Sequence, residues 1–332
     1  MNPVEYEVRT LAAATKMFTD FPGMTQVEAR YEPKVILVAV GVGASSRSAL
    51  KWADKLAHRL GLGLRLVHAA PDVVPVELLP PQHGVQPSSE SCAWSDKLRE
   101  ALHEWATSKL GIHLPMEEFR VAHGQLSAVI LREAAAPDVA LVVVGKSRTA
   151  NKPEIAQMLH EVLRHCRRPL LVVGPCGQQP VVLAATDCAD TSLPVLRQGW
   201  WLAAALRSQL TVVHNVDATA SQFGERLGMP FSSQIADLVA QRSQEWLEQN
   251  VGFGQVLVTR SPSSARGILS LAAALAAELV VVGVKPAEMA PHRTAEQVLD
   301  QARCTVLFVP LAYDGTALAD LLISPDPRPL YD

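Results

Sequence analysis

The sequence predicts an α/β fold: two tandem, doubly wound domains, each organised on a parallel five-stranded sheet. Three observations carry that expectation. The run Leu141-Val142-Val143-Val144-Gly145 returns letter for letter as Leu279-Val280-Val281-Val282-Gly283. A short, wholly apolar, β-branched run of this kind fits a strand buried on both faces of a parallel sheet, with a turn at its closing glycine. Around each run, apolar segments of strand length alternate with segments of helical spacing, as βαβ units require. One constant offset also carries Gly41 to Asp187, Ser46 to Ser192 and His68 to His214, so the second half retraces the first. Ligands of open α/β sheets bind outside the carboxyl ends of the strands, which makes the turns after Gly145 and Gly283 the first places to seek a site.

Taken in order, residues 1–33 form an extension outside the repeats. Within it, Val8 to Phe18 has the spacing of a short amphipathic helix, stopped by Pro22-Gly23. The first domain covers 34–174. Val35 to Val40 reads as a strand, and Ser48 to Leu60 as a helix with Ala49, Trp52, Ala53, Leu56, Ala57 and Leu60 on one face. Gly61 and Gly63 end that helix, and Leu64 to Ala69 is the next strand. The proline-rich connection from Pro71 to Pro87 is long for a compact domain and carries several apolar residues. A helix to Leu110, a strand at Phe119 to Ala122 and a helix from Leu126 follow. The strand at Leu141 to Val144, the helix Pro153 to His165 and the strand Leu170 to Val173 complete the domain. A short linker, Gly174-Pro175-Cys176-Gly177, predicts two domains held close together. The second domain, 178–310, repeats the path from the strand at Val181 to the strand Thr305 to Val309. The proline-containing tail, 311–332, is expected to be poorly ordered.

The chain has 332 residues, 48% of them hydrophobic and 19% charged, enough for two domains with their own cores. A net charge of -3 gives no global basic field, so nucleic acid is not expected as a partner. Five cysteines, an odd number without C-x-x-C spacing, read as thiols of a reducing compartment. Neither a secretory leader nor an apolar run of membrane-spanning length is evident. These features together predict a cytoplasmic protein.

Two motif-like stretches do not hold up. Gly145-Lys146-Ser147 resembles the end of a P-loop, but the glycine that loop needs five residues earlier is Ala140. Gly41-Val42-Gly43-Ala44-Ser45-Ser46 opens a helix after a strand, yet its third glycine is Ser46 and its repeat counterpart, Asp187 to Ser192, has no glycine. A tight turn with an N-cap serine is the simpler reading. His160, His165 and Cys166 lack the spacing that would place metal ligands on one helical face.

The first strand and helix of each domain read "ILVAV", with "ALKWADKLA" after it, and "VLAATDCADTS". The second strands end in "LVHA" and "VVHN", and the domains close on "EVLRHCRRPLLVV" and "TAEQVLDQARCTVLFV". In this order, twice over, the motifs resemble the universal stress protein family in its tandem form, across residues 34 to 310. The resemblance implies an adenine nucleotide alpha hydrolase-like, Rossmann-like fold and a non-enzymatic binding or interaction role in stress response. It also implies pairing through the last strand of each domain, here Leu170-Val173 with Thr305-Val309, and leaves a homodimer open.

Nucleotide-binding members carry a loop after the fourth strand with the pattern G-x-x-G, a nine-residue spacer, then G followed by Ser or Thr. Its glycines let backbone N–H groups close on phosphates. Here the two loops begin Gly145-Lys146-Ser147-Arg148 and Gly283-Val284-Lys285-Pro286, and neither continues with the required glycines. The resemblance therefore points to a protein with no cofactor and without ATP binding; some tandem relatives hold apolar or lipid-like ligands, and the apolar connection Val73 to Val85 is a candidate lining for such a pocket. The alternative is an adenine-nucleotide switch. It would use Asp187, the match to the acid that faces adenosine in nucleotide-binding relatives, together with the loop of Lys146 and Arg148; Lys285, just beyond the second run, is a further basic residue placed to meet an anionic group. Asp187 could equally cap the following helix. His68 and His214 are expected to serve packing.

Overall fold

The computed structural model describes residues 6–10, 35–41, 43–70, 87–146, 153–174, 179–216, 221, 233–251, 255–285 and 293–311. The connection from Pro71 to Gln86, the linker from Pro175, the tail beyond Leu311, and the predicted helix beyond Thr10 lie outside them. Contacts divide the chain into two units, Pro33–Val173 and Met1–Glu32 together with Gly174–Asp332. The first strand, β1 (Tyr6–Thr10), therefore belongs with the second unit.

The first unit runs β2 (Val35–Ala39), α1 (Ala44–Leu60), β3 (Gly63–Ala70), α2 (Pro87–Leu110), β4 (Phe119–His123), α3 (Leu126–Ala134), β5 (Val139–Gly145), α4 (Pro153–His165) and β6 (Leu170–Val173). Its sheet has the order β6-β5-β2-β3-β4, every pair parallel. β2 and β6 are buried along their whole length and β5 up to Val144, because helices cover both faces of such a sheet. α1 turns Ala49, Leu50, Trp52, Ala53, Leu56 and Ala57 inward and ends on Gly61, whose φ of 65° only glycine adopts without strain. At the amino end of the sheet, Arg65 grips Asp138 through two bonds of 2.8 and 3.1 Å and Glu118 through one of 3.0 Å. The guanidinium holds the Asp138 carboxyl below the usual carboxylate range.

The second unit runs β7 (Gln179–Thr186), α5 (Leu193–Leu206), β8 (Gln209–Asn215), α6 (Ser233–Asn250), β9 (Gln255–Thr259), α7 (Ser264–Ala274), β10 (Ala277–Val284), α8 (Arg293–Gln301) and β11 (Thr305–Pro310). Its parallel strands follow the same order, β9-β8-β7-β10-β11. In both units the chain reverses its winding between the first and fourth strands, β2/β5 and β7/β10. Each such switch opens a crevice at the carboxyl ends. Among the described residues, no helix is long and apolar enough to cross a membrane.

The structure corrects three local expectations. Tyr6–Thr10 is a strand, although helical spacing pointed to a helix from Val8; it pairs antiparallel with the outer edge of β9. The alternation of Tyr6, Val8 and Thr10, all β-formers, with Glu7 and Arg9 was the better local signal. Gly145 and Gly283 do not mark sharp turns: β5 ends on Gly145, β10 continues past Gly283 to Val284, and neither is among the positive-φ residues. The residue capping α1 is Gly43, not a serine.

Candidate functional site

The glycines of the twin runs allow close packing. A methyl group added at Gly145 would land on the backbone carbonyl oxygen of Ser45 and 2.5 Å from its carbonyl carbon. The first turn of α1 thus rests directly on the end of β5. At Gly283 the same addition meets side chains instead, Leu311 Cδ1 at 2.9 Å and Val195 Cγ2 at 3.0 Å. Leu311 continues the sheet past β11 through a 2.9 Å bond from its N–H to the Val284 carbonyl, and its side chain is buried.

The switch of the second unit brings two predicted residues together. Asp187 follows β7, Lys285 follows β10, and Lys285 Nζ lies 3.4 Å from Asp187 Oδ2, both side chains nearly half exposed. The other carboxylate oxygen accepts the Ala189 N–H at 3.3 Å, so Asp187 closes its own turn and does not cap α5. In the first unit Gly41 stands where Asp187 stands, and its N–H donates to Ser46 Oγ at 2.7 Å. Lys146 is half-buried and its N–H donates to the Val173 carbonyl at 2.8 Å, which extends the β5–β6 ladder. Ser147 and Arg148 lie outside the described residues. An exposed pair such as Asp187–Lys285 contributes about 1 kcal/mol or less. Asp187→Ala is accordingly expected to move the urea midpoint of unfolding only slightly, which makes it a clean probe of ligand binding.

Behind this pair lies a buried polar chain that sequence reasoning did not assemble. His214, fully buried at the end of β8, has its Nδ1 3.0 Å from the Thr186 carbonyl and its Nε2 2.9 Å from Ser243 Oγ on α6. A carbonyl only accepts, so Nδ1 carries the proton and Nε2 accepts from the serine hydroxyl. Burial pushes the His214 pKa down, against the pull of the Thr186 bond and the Asp187 charge. Cys188, at φ 55°, donates its backbone N–H to Thr186 Oγ1 at 2.9 Å. Burial pushes its thiol up to about 12; the Ser243 hydrogen bond acts against burial and the Asp187 charge adds to it. At neutral pH this thiol is protonated and a poor nucleophile. The first unit repeats the central bond, with His68 Nδ1 2.8 Å from the Val40 carbonyl. The constant offset linking His68 to His214 was the sequence signal for both bonds. Among the described residues, no group of three His, Cys, Asp or Glu side chains could hold a metal ion.

Comparison with known proteins agrees with this architecture. The model of the universal stress protein family matches twice, over residues 32–174 and 180–310. No curated protein matches the chain significantly. Among solved structures, a functionally unknown protein from Pseudomonas aeruginosa PAO1 is 17% identical, with a TM-score of 0.57, over 87% of this chain and 94% of that one. A putative universal stress protein from Pseudomonas aeruginosa UCBPP-PA14 is 18% identical, with a TM-score of 0.57, over 87% of this chain and 95% of that one. A universal stress protein from Archaeoglobus fulgidus DSM 4304 is 14% identical, with a TM-score of 0.55, over 86% of this chain and 99% of that one. At such identities the likeness is one of fold. With the family's model matched in both halves and the same strand order in both units, the chain belongs to the universal stress protein family, as a tandem of two family domains.

Proposed function

We propose that this tandem protein is a non-enzymatic binding or interaction module of stress response that does not use ATP. The observation that carries the reading is the Asp187–Lys285 pair at the crevice of the second unit. Asp187, the match to the acid that nucleotide-binding relatives turn toward adenosine, is paired here with Lys285 of the same crevice. Three further features support it. Neither loop has the glycines that would bring backbone N–H groups onto phosphates. Leu311 and Val195 fill the space beside Gly283, and the Ser45 carbonyl fills the space beside Gly145. The cysteine nearest the crevice is held as a thiol.

Native mass spectrometry of the purified full chain, followed by calorimetric titration with ATP, tests the reading. The expected result is the mass of the bare chain and no saturable heat at micromolar ATP. Nucleotide retained through purification, or micromolar binding abolished by Asp187→Ala, would overturn it in favour of an adenine-nucleotide switch. A co-purifying acyl compound would support the module and identify an apolar ligand class.

A further inference from the structure

We propose that the outer edge of β4 is a docking edge for another protein, and that it takes an extended segment with one acidic residue opposite Arg120. This edge lies in the first unit, whereas the crevice with Asp187 and Lys285 lies in the second.

The duplicated fold shows what such an edge accepts. In the second unit the equivalent strand, β9, carries β1 antiparallel on its outer side. Val121 of β4 lies opposite His68, as Val258 of β9 lies opposite His214, so the two strands align residue by residue. Arg120 then stands where β9 has Leu257, the partner of Val8. Leu257 is only 3% exposed under its cover. Arg120 is exposed, and β4 has no outer neighbour among the described residues. The main-chain groups of an edge are a template for an added strand, and side chains decide which strand is accepted.

A hollow of about 270 Å³, lined by Arg99, Met116, Glu117, Phe119 and Arg120, lies along this edge. Its position follows from strand alternation. Phe119 packs edge-on against His103 of α2, with ring centres 5.2 Å apart, so Arg120 points to the opposite face. Arg99 belongs to α2, so a hollow that touches both arginines spans the edge from one face to the other.

The chemistry of the occupant follows. Among the described residues Arg120 has no hydrogen-bond or ion-pair partner; Asp138, on which its charge acts, is already held by Arg65. A strand laid on β4 as β1 lies on β9 sets its central residue opposite Arg120 on the same face, and an acid there meets the guanidinium across the strands. Met116, 39% exposed, gives the hollow apolar surface and suits an apolar residue next to that acid. Glu117 lines the same hollow and disfavours a run of acids, so the match is to a single acid in register. Arg99 is held by an exposed bond of 2.8 Å to Asp96, a kind of pair that water leaves weak and easily exchanged. The contact of Phe119 with His103 and the 3.0 Å bond between Ser95 Oγ and His123 Nε2 tie α2 to both ends of β4. An edge held in this way loses little freedom when a strand adds to it.

The probe is a fluorescent peptide with the β1 sequence altered by E7T, V8E and R9L, which leaves one central acid beside an apolar residue. Anisotropy titration of the full chain with this peptide is expected to saturate, with amide exchange slowed across residues 119–123. Arg120→Glu is expected to weaken binding about tenfold, as attraction between opposed residues turns to repulsion. A second peptide with V8K in place of V8E should then bind the Arg120→Glu variant better than it binds the unaltered chain, a reversal that loss of folding cannot produce. No saturation up to ~1 mM peptide would overturn the proposal. So would equal binding of both peptides to both chains, or slowed exchange at residues 255–259 in place of 119–123, the mark of β1 being displaced from its own edge.

Discussion

Gly145→Ala is expected to destabilise the first domain by about 3 kcal/mol, at the upper end of overpacking effects, because the added methyl meets backbone rather than a movable side chain. The Ser45 carbonyl belongs to the first turn of α1, and that helix cannot withdraw without lifting its buried stripe of Ala49, Trp52, Ala53 and Leu56 from the sheet. Gly283→Ala should cost only about 1 kcal/mol, since Leu311 and Val195 present side-chain tips that adjust by rotamer. Urea unfolding of the two variants distinguishes them: the Gly145 variant shifts its midpoint far more, at an unchanged slope. Equal shifts would show that the twin glycines share a role, contrary to the packing seen at each.

His214→Ala should cost a further ~3 kcal/mol in the second domain. It removes a fully buried ring and leaves the Thr186 carbonyl and the Ser243 hydroxyl without the partner that joins them. The same residue gives stability a pH dependence with a defined sign. His214 is held neutral, with its folded pKa below the unfolded value of ~6.5. Below that value the unfolded chain binds the proton more readily than the folded one, so stability falls as the pH falls. The contribution of neutral His214 is fully present above ~6.5 and is lost as the pH drops toward the depressed folded value. Thermal unfolding between neutral and mildly acidic pH is therefore expected to be steeper for the wild-type second domain than for the His214→Ala variant. Parallel profiles would show that other groups carry the dependence.

Most of the fold was legible in the sequence because a parallel sheet covered on both faces leaves a plain trace. Val35, Leu141, Leu170, Val181, Leu279 and Thr305 each fall within a strand of the structure, and the helix Pro153 to His165 has the predicted limits. The repeat offset revealed the duplication before any contact was known. The N-terminal strand was misread because Val8 to Phe18 also satisfies helical spacing, and its pairing with β9 arises from residues almost a whole chain away. The site was legible only as a set of residue types. Asp187 and Lys285 were both candidates, but their ion pair depends on β7 and β10 being neighbours in the sheet. The polar chain from Thr186 through His214 to Ser243 spans two strands and a helix, and only the recurrence of His68 at His214 hinted at it.

The placement of β1 also bears on how the protein is made. Tyr6–Thr10 leaves the ribosome before anything else in the structure, yet its partner, Gln255–Thr259, is synthesised after the entire first domain and half of the second. At roughly 5–20 residues per second that interval is on the order of tens of seconds, long enough for the first domain to fold on its own. Through that time the nascent chain carries a strand whose partner edge has not yet been made. Closure of the second sheet at this edge therefore waits on translation and not on local propensity.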